Sequence, residues 1–162
     1  MHACERSDRR SGKPTPPSFQ VGLLDLDDRY EDFMTPSRPI EVLYVEDSAG
    51  DVLITKQILG DQPVKLTVAK DGEQALTMLA DEQFNPAMII LDLSLPVLSG
   101  YDVLERNPRK DIPVVVFSGS SNPADARRAL DLCACEYFVK PIDLESYQVA
   151  MLGMIEKWAM AT

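Results

Sequence analysis

Four short apolar runs of the chain each lead into polar residues of a kind that could hold a metal ion or a phosphate. The first leads into two acids, another into a third acid, and the last two into a hydroxyl and an amine: Glu46 and Asp47, Asp92, Ser118, and Lys140. If these runs are parallel strands, their carboxyl ends lie at one edge of a sheet. That edge would carry three carboxylates, a hydroxyl and an ammonium group. Such a set fits a divalent cation and a phosphoryl group.

Three carboxylates at one sheet edge repel one another unless a cation neutralises them or one acid is protonated. Mg²⁺ suits this set because it is a hard cation that takes oxygen ligands at about 2.0–2.1 Å. We therefore interpret Glu46, Asp47 and Asp92 as a Mg²⁺ site. Asp92 would also be the nucleophile that forms an acyl phosphate. Ser118 would hydrogen-bond a phosphoryl oxygen, and Lys140 would pair with a carboxylate or with the phosphoryl group.

Each of these residues also has an ordinary structural explanation. An acid at a strand end, such as Asp92, is often only a cap or a solvated turn residue. Glu46 and Asp47 could simply begin a helix, where acids are favoured. Ser118 could be a loop hydroxyl and Lys140 a surface lysine. Their joint occurrence at the ends of four separate runs favours a site over these explanations.

Composition argues against several classes of function. The formal net charge is −10, and the basic residues form no patch, so we expect no nucleic-acid partner. The only histidine, His2, lies at the N-terminus, which argues against a His-based triad or a His-ligated zinc. No apolar run approaches the roughly 20 residues of a membrane span, and no signal peptide is evident. The three cysteines are odd in number and fit reduced thiols, so we expect a cytoplasmic protein with no membrane contact.

From residue 40 onward, short apolar runs alternate with amphipathic segments. The strand candidates are 40–46, 64–69, 87–92, 113–117 and 136–139, and the helix candidates are 50–60, 72–82, 100–107, 123–132 and 144–160. Nearly continuous apolar strands joined by helices predict an α/β fold with a parallel sheet covered on both faces. Right-handed crossovers make its topology doubly wound. The polar residues described above fall at the edge where such sheets bind ligands.

The first 38 residues differ from the rest, and we expect them to form an N-terminal extension preceding one domain at 39–162. Prolines and scattered charges predict disorder at the start of the extension. Between residues 19 and 33, apolar side chains recur at spacings of three and four, as on a helix: Phe19, Leu23, Leu26, Tyr30 and Phe33. The extension is thus predicted to be largely disordered or to contain a short docking helix. Met34 is an alternative start of the protein.

The segment from about Ile40 to Trp158 resembles the response-regulator receiver domain of bacterial two-component signalling. Five motifs carry this resemblance: Val45-Glu46-Asp47-Ser48, Asp71-Gly72-Glu73-Gln74-Ala75-Leu76, Leu91-Asp92-Leu93-Ser94-Leu95-Pro96 followed by Gly100, Val116-Phe117-Ser118-Gly119, and Tyr137-Phe138-Val139-Lys140-Pro141. The resemblance implies that 39–162 is a receiver domain with a flavodoxin-like fold, a five-stranded sheet of order 2-1-3-4-5. Stand-alone receivers paired with phytochrome-type kinases are resembled by three further features: the pair Gly50-Asp51, the run Asp131-Leu132 and the tail Ile155-Glu156-Lys157-Trp158.

By this resemblance, Asp92 accepts a phosphoryl group from a histidine kinase. The protein would then be a phosphorelay component and not an enzyme, apart from self-catalysed phosphotransfer and autodephosphorylation. The resemblance also implies the complete Mg²⁺ ligand set, which is Glu46, Asp47, Asp92 and the backbone carbonyl of Ser94.

The resemblance further implies a conformational switch. Ser118 and Lys140 would bind the phosphoryl group, Tyr137 would report activation, and the Lys140–Pro141 peptide bond would be cis. The surface formed by helix 4, strand 5 and helix 5 would change on phosphorylation. It would contact a downstream protein of unknown identity or form a homodimer. Nothing follows helix 5 in the sequence, so we expect no attached output domain.

Two other classes of protein compete with this interpretation. A phosphatase of the haloacid dehalogenase type carries a second Asp two residues after its nucleophile, where this chain has Ser94. Its nucleophile also lies on the first strand, whereas Asp92 follows the third. A receiver-like interaction module that is never phosphorylated usually has a broken acid site, and this acid site is intact. Two departures from the family pattern are Glu46 in place of the commoner Asp, and Ser118 in place of Thr.

Overall fold

The structure is a computed structural model, and it describes residues 38–160. Its five strands are β1 Ile40–Val45, β2 Val64–Ala69, β3 Met88–Leu91, β4 Val114–Ser118 and β5 Glu136–Val139. Its five helices are α1 Ala49–Ile58, α2 Gly72–Ala80, α3 Gly100–Arg106, α4 Pro123–Asp131 and α5 Leu144–Trp158. The strands form one parallel sheet in the order β2-β1-β3-β4-β5. The predicted α/β fold and strand order are confirmed.

The pleat of the strands divides the core into two layers. Alternate side chains of β1 and β3 point to opposite faces, because successive residues of a strand do so. Leu43 and Ile89 lie in the layer that also contains apolar residues of α2, α3 and α4. Tyr44 and Ile90 lie in the layer that contains apolar residues of α5 and the end of α1. The sheet is therefore covered on both faces, which explains why its strands are almost continuously apolar.

Strand register brings the predicted site residues to one edge of the sheet. Val45 pairs with Leu91, so the residues that follow them, Glu46 and Asp92, leave neighbouring strands at the same level. At the same edge, Ser118 at the end of β4 pairs with Val139, the last residue of β5. Lys140 follows Val139 directly.

Close packing behind this edge requires a glycine at position 100. A Cβ atom there would lie 2.3 Å from the backbone oxygen of Asp92 and 2.6 Å from Cα of Leu93. The N–H of Gly100 also donates to the backbone oxygen of Leu93 at 2.9 Å. The start of α3 is thus packed directly against the chain that carries Asp92. Any side chain at position 100 would displace that chain.

One prediction about the backbone is wrong. No cis peptide bond occurs in residues 38–160, so the Lys140–Pro141 bond is trans. The trans form of an X–Pro bond is favoured by about 0.5–1 kcal/mol. The lysine amine reaches Asp92, at 3.2 Å, with this trans bond. A cis bond is therefore not needed to bring the lysine amine to Asp92.

The predictions for the N-terminal extension, including its helical stripe at 19–33, lie outside the described residues. Among the residues that are described, no helix is both long enough and apolar enough to cross a membrane. Cys133 and Cys135 are not joined in a disulfide bond.

Candidate functional site

Three acids meet at the carboxyl ends of β1 and β3. Each of Glu46, Asp47 and Asp92 offers a carboxylate oxygen, and these oxygens all lie within 4.8 Å of one another. Glu46 and Asp92 are buried, whereas Asp47 is exposed to solvent. The set combines hard oxygen donors with an open side, which suits a cation such as Mg²⁺ that keeps several water ligands. The residues present therefore fit a divalent metal ion.

Lys140 lies at the centre of the acidic cluster. Its Nζ atom donates to Oε2 of Glu46, to Oδ2 of Asp51 at 2.9 Å and to Oδ2 of Asp92 at 3.2 Å. The lysine side chain is 13% exposed, so water screens these ion pairs only partly. The three donor positions of the ammonium group are matched by three carboxylates. Lys140 thereby supplies the positive charge that the crowded acids require.

The pKa values of this cluster reflect a balance between burial and pairing. Burial raises the pKa of Glu46, and hydrogen bonds from Lys140 and from the Ser48 N–H only partly oppose that effect. Burial acts in the opposite sense on Lys140, but its contacts with Glu46, Asp51 and Asp92 outweigh it and raise the lysine pKa. Lys140 therefore remains a cation at neutral pH, although its amine is largely removed from water.

Asp51 belongs to this site, although sequence analysis did not place it there. Its spacing from Ser48 is that of a capping box at the start of α1. Half of that box is present, because the Ser48 hydroxyl accepts from the Asp51 N–H at 3.3 Å. The reciprocal bond is made by a different acid, since the Ser48 N–H donates to Glu46 Oε1 at 2.9 Å. The Asp51 carboxylate is thereby free to pair with Lys140.

Ser118 and Tyr137 are connected through the loop between β4 and α4. Ser118 is buried at the end of β4, and its hydroxyl accepts from the Ser120 N–H at 3.3 Å. The Tyr137 hydroxyl donates to the backbone oxygen of Ser120 at 2.7 Å. The Ser120 hydroxyl donates to Asp125 in α4 at 2.5 Å. A movement of Ser118 would therefore be transmitted to Tyr137 and to the start of α4.

Ser94 is hydrogen-bonded to Asp92 through its backbone N–H. Its N–H donates to Oδ1 of Asp92 at 3.2 Å, while Oδ2 of Asp92 receives Lys140. Both oxygens of Asp92 are thus held, and the carboxylate has a fixed orientation. The role of the Ser94 carbonyl as a metal ligand stays a prediction.

Comparison with known families identifies the class of protein that has this fold and site. The model of the response regulator receiver domain matches residues 42–151, which include every strand but the first two residues of β1. The chain therefore belongs to the response regulator receiver domain family. Receiver domains of this family generally act in signalling rather than in catalysis.

Two proteins with similar sequences illustrate the range of relatives of this chain. The two-component response regulator ORR3 of Oryza sativa subsp. indica is 32% identical over 111 residues, which cover 66% of this chain and 84% of the relative. A probable cyclic di-GMP phosphodiesterase of Vibrio cholerae is 34% identical over 107 residues, or 64% of this chain. The match spans only 24% of that relative's own length.

Solved structures with the same fold include receivers from light signalling. The phosphorylated cyanobacterial phytochrome response regulator RcpA has a TM-score of 0.68 and 29% identity, covering 73% of this chain and 92% of that chain. The Mn²⁺-bound form of the response regulator Rcp1 has the same TM-score and identity, covering 76% and 97%. The response regulator RPA3017, from red light signalling of R. palustris, has a TM-score of 0.64 and 26% identity, covering 73% and 92%.

Proposed function

We propose that this protein accepts a phosphoryl group from a histidine kinase onto Asp92 and uses it to switch the surface that contacts a partner protein. The observation that carries the proposal is the position of Asp92. Its carboxylate is buried close to those of Glu46 and Asp47 and also contacts the Lys140 ammonium group. A single nucleophile thus lies next to both a candidate cation site and a fixed positive charge.

In the transfer step, a carboxylate oxygen of Asp92 forms a bond to phosphorus as the bond from phosphorus to the kinase imidazole nitrogen breaks. The electron pair of that bond stays with the imidazole. Glu46, Asp47, Asp92 and the Ser94 carbonyl would hold Mg²⁺, which would supply positive charge that offsets the charge on the transferring oxygens. Lys140 contributes a second positive charge. Ser118 donates its hydroxyl to a phosphoryl oxygen.

The same residues couple the transfer to a change of surface. A phosphoryl group adds about −1.5 to −2 charges at neutral pH and draws the Ser118 hydroxyl towards it. The Ser118–Ser120–Tyr137 connection then releases the tyrosine hydroxyl, and Tyr137 turns inward. We define the output surface as α4, β5 and α5, and we place the contact with a downstream protein, or a homodimer contact, there.

The histidine kinase is proposed to be of the phytochrome type. Support comes from the likeness to the phytochrome response regulator RcpA and to RPA3017, which are described for light signalling. We also propose that the protein acts in the cytoplasm, where such kinase domains lie.

The test is phosphorylation with acetyl phosphate and Mg²⁺, followed by intact-mass and peptide mass spectrometry. We expect one added phosphoryl group on Asp92, none in Asp92→Asn, and none in wild type with EDTA. Asp47→Ala is expected to need far more Mg²⁺ than wild type. Phosphate on Ser118 or Ser120, or equal labelling in EDTA, would reject the proposal. Transfer profiling with purified phytochrome-type and other histidine kinases would then test the choice of kinase.

A further inference from the structure

A chain of buried hydroxyl groups leads from α1 and from the first turn of α5 to the acidic cluster. The Tyr44 hydroxyl donates to Oε2 of Glu46 at 3.3 Å. The hydroxyl oxygens of Tyr44 and Tyr147 lie 3.2 Å apart, and those of Tyr147 and Thr55 lie 3.1 Å apart. Tyr44 and Thr55 are fully buried, and Tyr147 is 6% exposed.

The direction of this chain follows from the chemistry of its end. An ionised carboxylate accepts hydrogen bonds and cannot donate, so Tyr44 must donate its only hydroxyl proton to Glu46. Tyr44 can then only accept from Tyr147, and Tyr147, whose proton is used in turn, can only accept from Thr55. The three hydroxyls therefore all donate towards Glu46, an order in which each bond polarises the next.

This chain gives Glu46 a fixed orientation. Its Oε1 accepts from the Ser48 N–H at 2.9 Å, and its Oε2 accepts from Tyr44 and Lys140. Glu46 is only 1% exposed, so water cannot replace a lost donor. Without Tyr44, its Oε2 would have no donor apart from the lysine. Glu46 would then be free to follow Lys140 whenever the lysine moves.

Tyr147 also connects this chain of hydroxyl groups to β4. Its ring packs against Phe117, with ring centroids 5.1 Å apart and planes at 66°. Phe117 directly precedes Ser118 in β4. Tyr147 is therefore in contact with the residue next to the switch hydroxyl and, through Tyr44, with a predicted metal ligand.

We propose that Tyr44 is a positioning residue for the metal site and that Tyr147 acts on this site only through Tyr44, so that the state of α5 sets the affinity for the divalent cation. This inference rests on the proposed function, because it concerns the same metal site. Groups that orient a metal ligand from behind typically change metal affinity by 10–100-fold when they are removed. Because coupling between two sites is reciprocal, a ligand that shifts Tyr147 would alter metal affinity, and bound metal would alter α5.

The experiment measures binding of Mn²⁺ alone, from the electron paramagnetic resonance signal of the free ion. We expect Tyr44→Phe to weaken binding about tenfold, and Tyr147→Phe to weaken it less, by roughly threefold, since it removes the second and third bonds of the chain but leaves the bond from Tyr44 to Glu46 in place. The double variant should bind like Tyr44→Phe, because Tyr147 then has nothing through which to act. Tyr101→Phe is the matched control. It removes a tyrosine hydroxyl that donates at 2.8 Å to the carboxylate of Asp125, which is not one of the predicted metal ligands, and should bind Mn²⁺ like wild type.

Wild-type affinity in Tyr44→Phe, or independent losses that multiply in the double variant, would overturn the inference. The proposed function fails differently, if Asp47→Ala binds Mn²⁺ as tightly as wild type. A second measurement needs no metal. The chain predicts hydroxyl protons of Tyr44 and Tyr147 that exchange slowly and are visible in the proton NMR spectrum. Each should disappear in its own Phe variant, and rapid exchange of both in the wild type would also overturn the inference.

Discussion

Lys140 Nζ lies 2.9 Å from Oδ2 of Asp51, a residue 89 positions earlier in the chain. The contact gives the lysine a partner that is neither the nucleophile nor a predicted metal ligand. Asp51 is also the more accessible partner, with a side chain 30% exposed against 9% for Asp92. Asp51 would therefore stay available as a partner for the ammonium group when a cation binds beside Asp92.

The first prediction concerns Asp51→Asn. We expect the free energy of unfolding to fall by about 1 kcal/mol, because a partly exposed ion pair and a favourable acid at the start of α1 are both lost. Urea unfolding at low ionic strength measures this, and the loss should shrink in high salt, which screens the pair. The matched background is Lys140→Met, in which the same substitution should cost less. An equal cost in both backgrounds would mean that Asp51 acts only on its helix.

The second prediction concerns Lys140→Met. Removing the lysine leaves Glu46, Asp51 and Asp92 without their shared cation, so we expect a loss of about 3 kcal/mol in the absence of metal. Mg²⁺ should restore part of this loss, because it can replace the missing charge. The rise in melting temperature on adding Mg²⁺ should therefore be larger in the variant than in wild type.

Lys65→Met is the control for this substitution. Lys65 also pairs with a carboxylate, Glu41 at 3.0 Å, but its side chain is 62% exposed. Its removal should cost at most about 1 kcal/mol, and Mg²⁺ should not restore that cost. A Mg²⁺ response of Lys140→Met no larger than that of wild type would show that lysine and metal ion do not substitute for each other.

The sequence allowed much of this site to be predicted, for a physical reason. Glu46, Asp92, Ser118 and Lys140 each directly follow or end an apolar run, and parallel strands bring all such positions to one edge. Only the existence of a parallel sheet had to be correct for these residues to lie together. The register of β1 and β3 brings Glu46 and Asp92 to the same level of this edge, since Val45 pairs with Leu91.

The missed contacts depend on geometry that no local pattern specifies. Asp51 follows Ser48 at the spacing of a capping box, so the sequence offered a sufficient local explanation for it. At the start of α3 the same spacing does give a complete box, between Ser99 and Asp102. In the sequence, Tyr44 is one more residue of a strand that is predicted to be buried. Its hydroxyl group takes part in a hydrogen-bond chain only because the fold brings it to Tyr147, which lies 103 positions later in the sequence.

The third prediction concerns the switch. In the present structure the Tyr137 hydroxyl is held by the Ser120 backbone oxygen at 2.7 Å. Beryllofluoride with Mg²⁺ mimics the phosphoryl group and should draw Ser118 inward, which breaks this bond and moves the loop before α4. We therefore expect amide NMR shifts across residues 118–140 in wild type. Asp92→Asn is the control and should show no change. Unchanged shifts across that region in wild type would contradict the proposed switch.

The fourth prediction concerns Val97, which follows Pro96 in the loop between β3 and α3. Its φ angle is 67°, in the left-handed region that a β-branched residue disfavours. Its side chain is 78% exposed, so little buried apolar area compensates for the strain. Asn adopts this conformation more readily than Val. We therefore expect Val97→Asn to raise the free energy of unfolding by about 1 kcal/mol, as measured by urea unfolding.

Val149→Asn is the matched control for this substitution. Val149 is also an exposed valine, 68% accessible, but it lies within α5, where the backbone is helical. Val and Asn have similar helix propensities, so this change should leave stability within about 0.5 kcal/mol of wild type. A gain at position 97 and none at position 149 would assign the effect to backbone strain and not to the removal of exposed apolar surface. If Val97→Asn instead destabilises the protein, the valine side chain must make stabilising contacts that outweigh its strained φ angle.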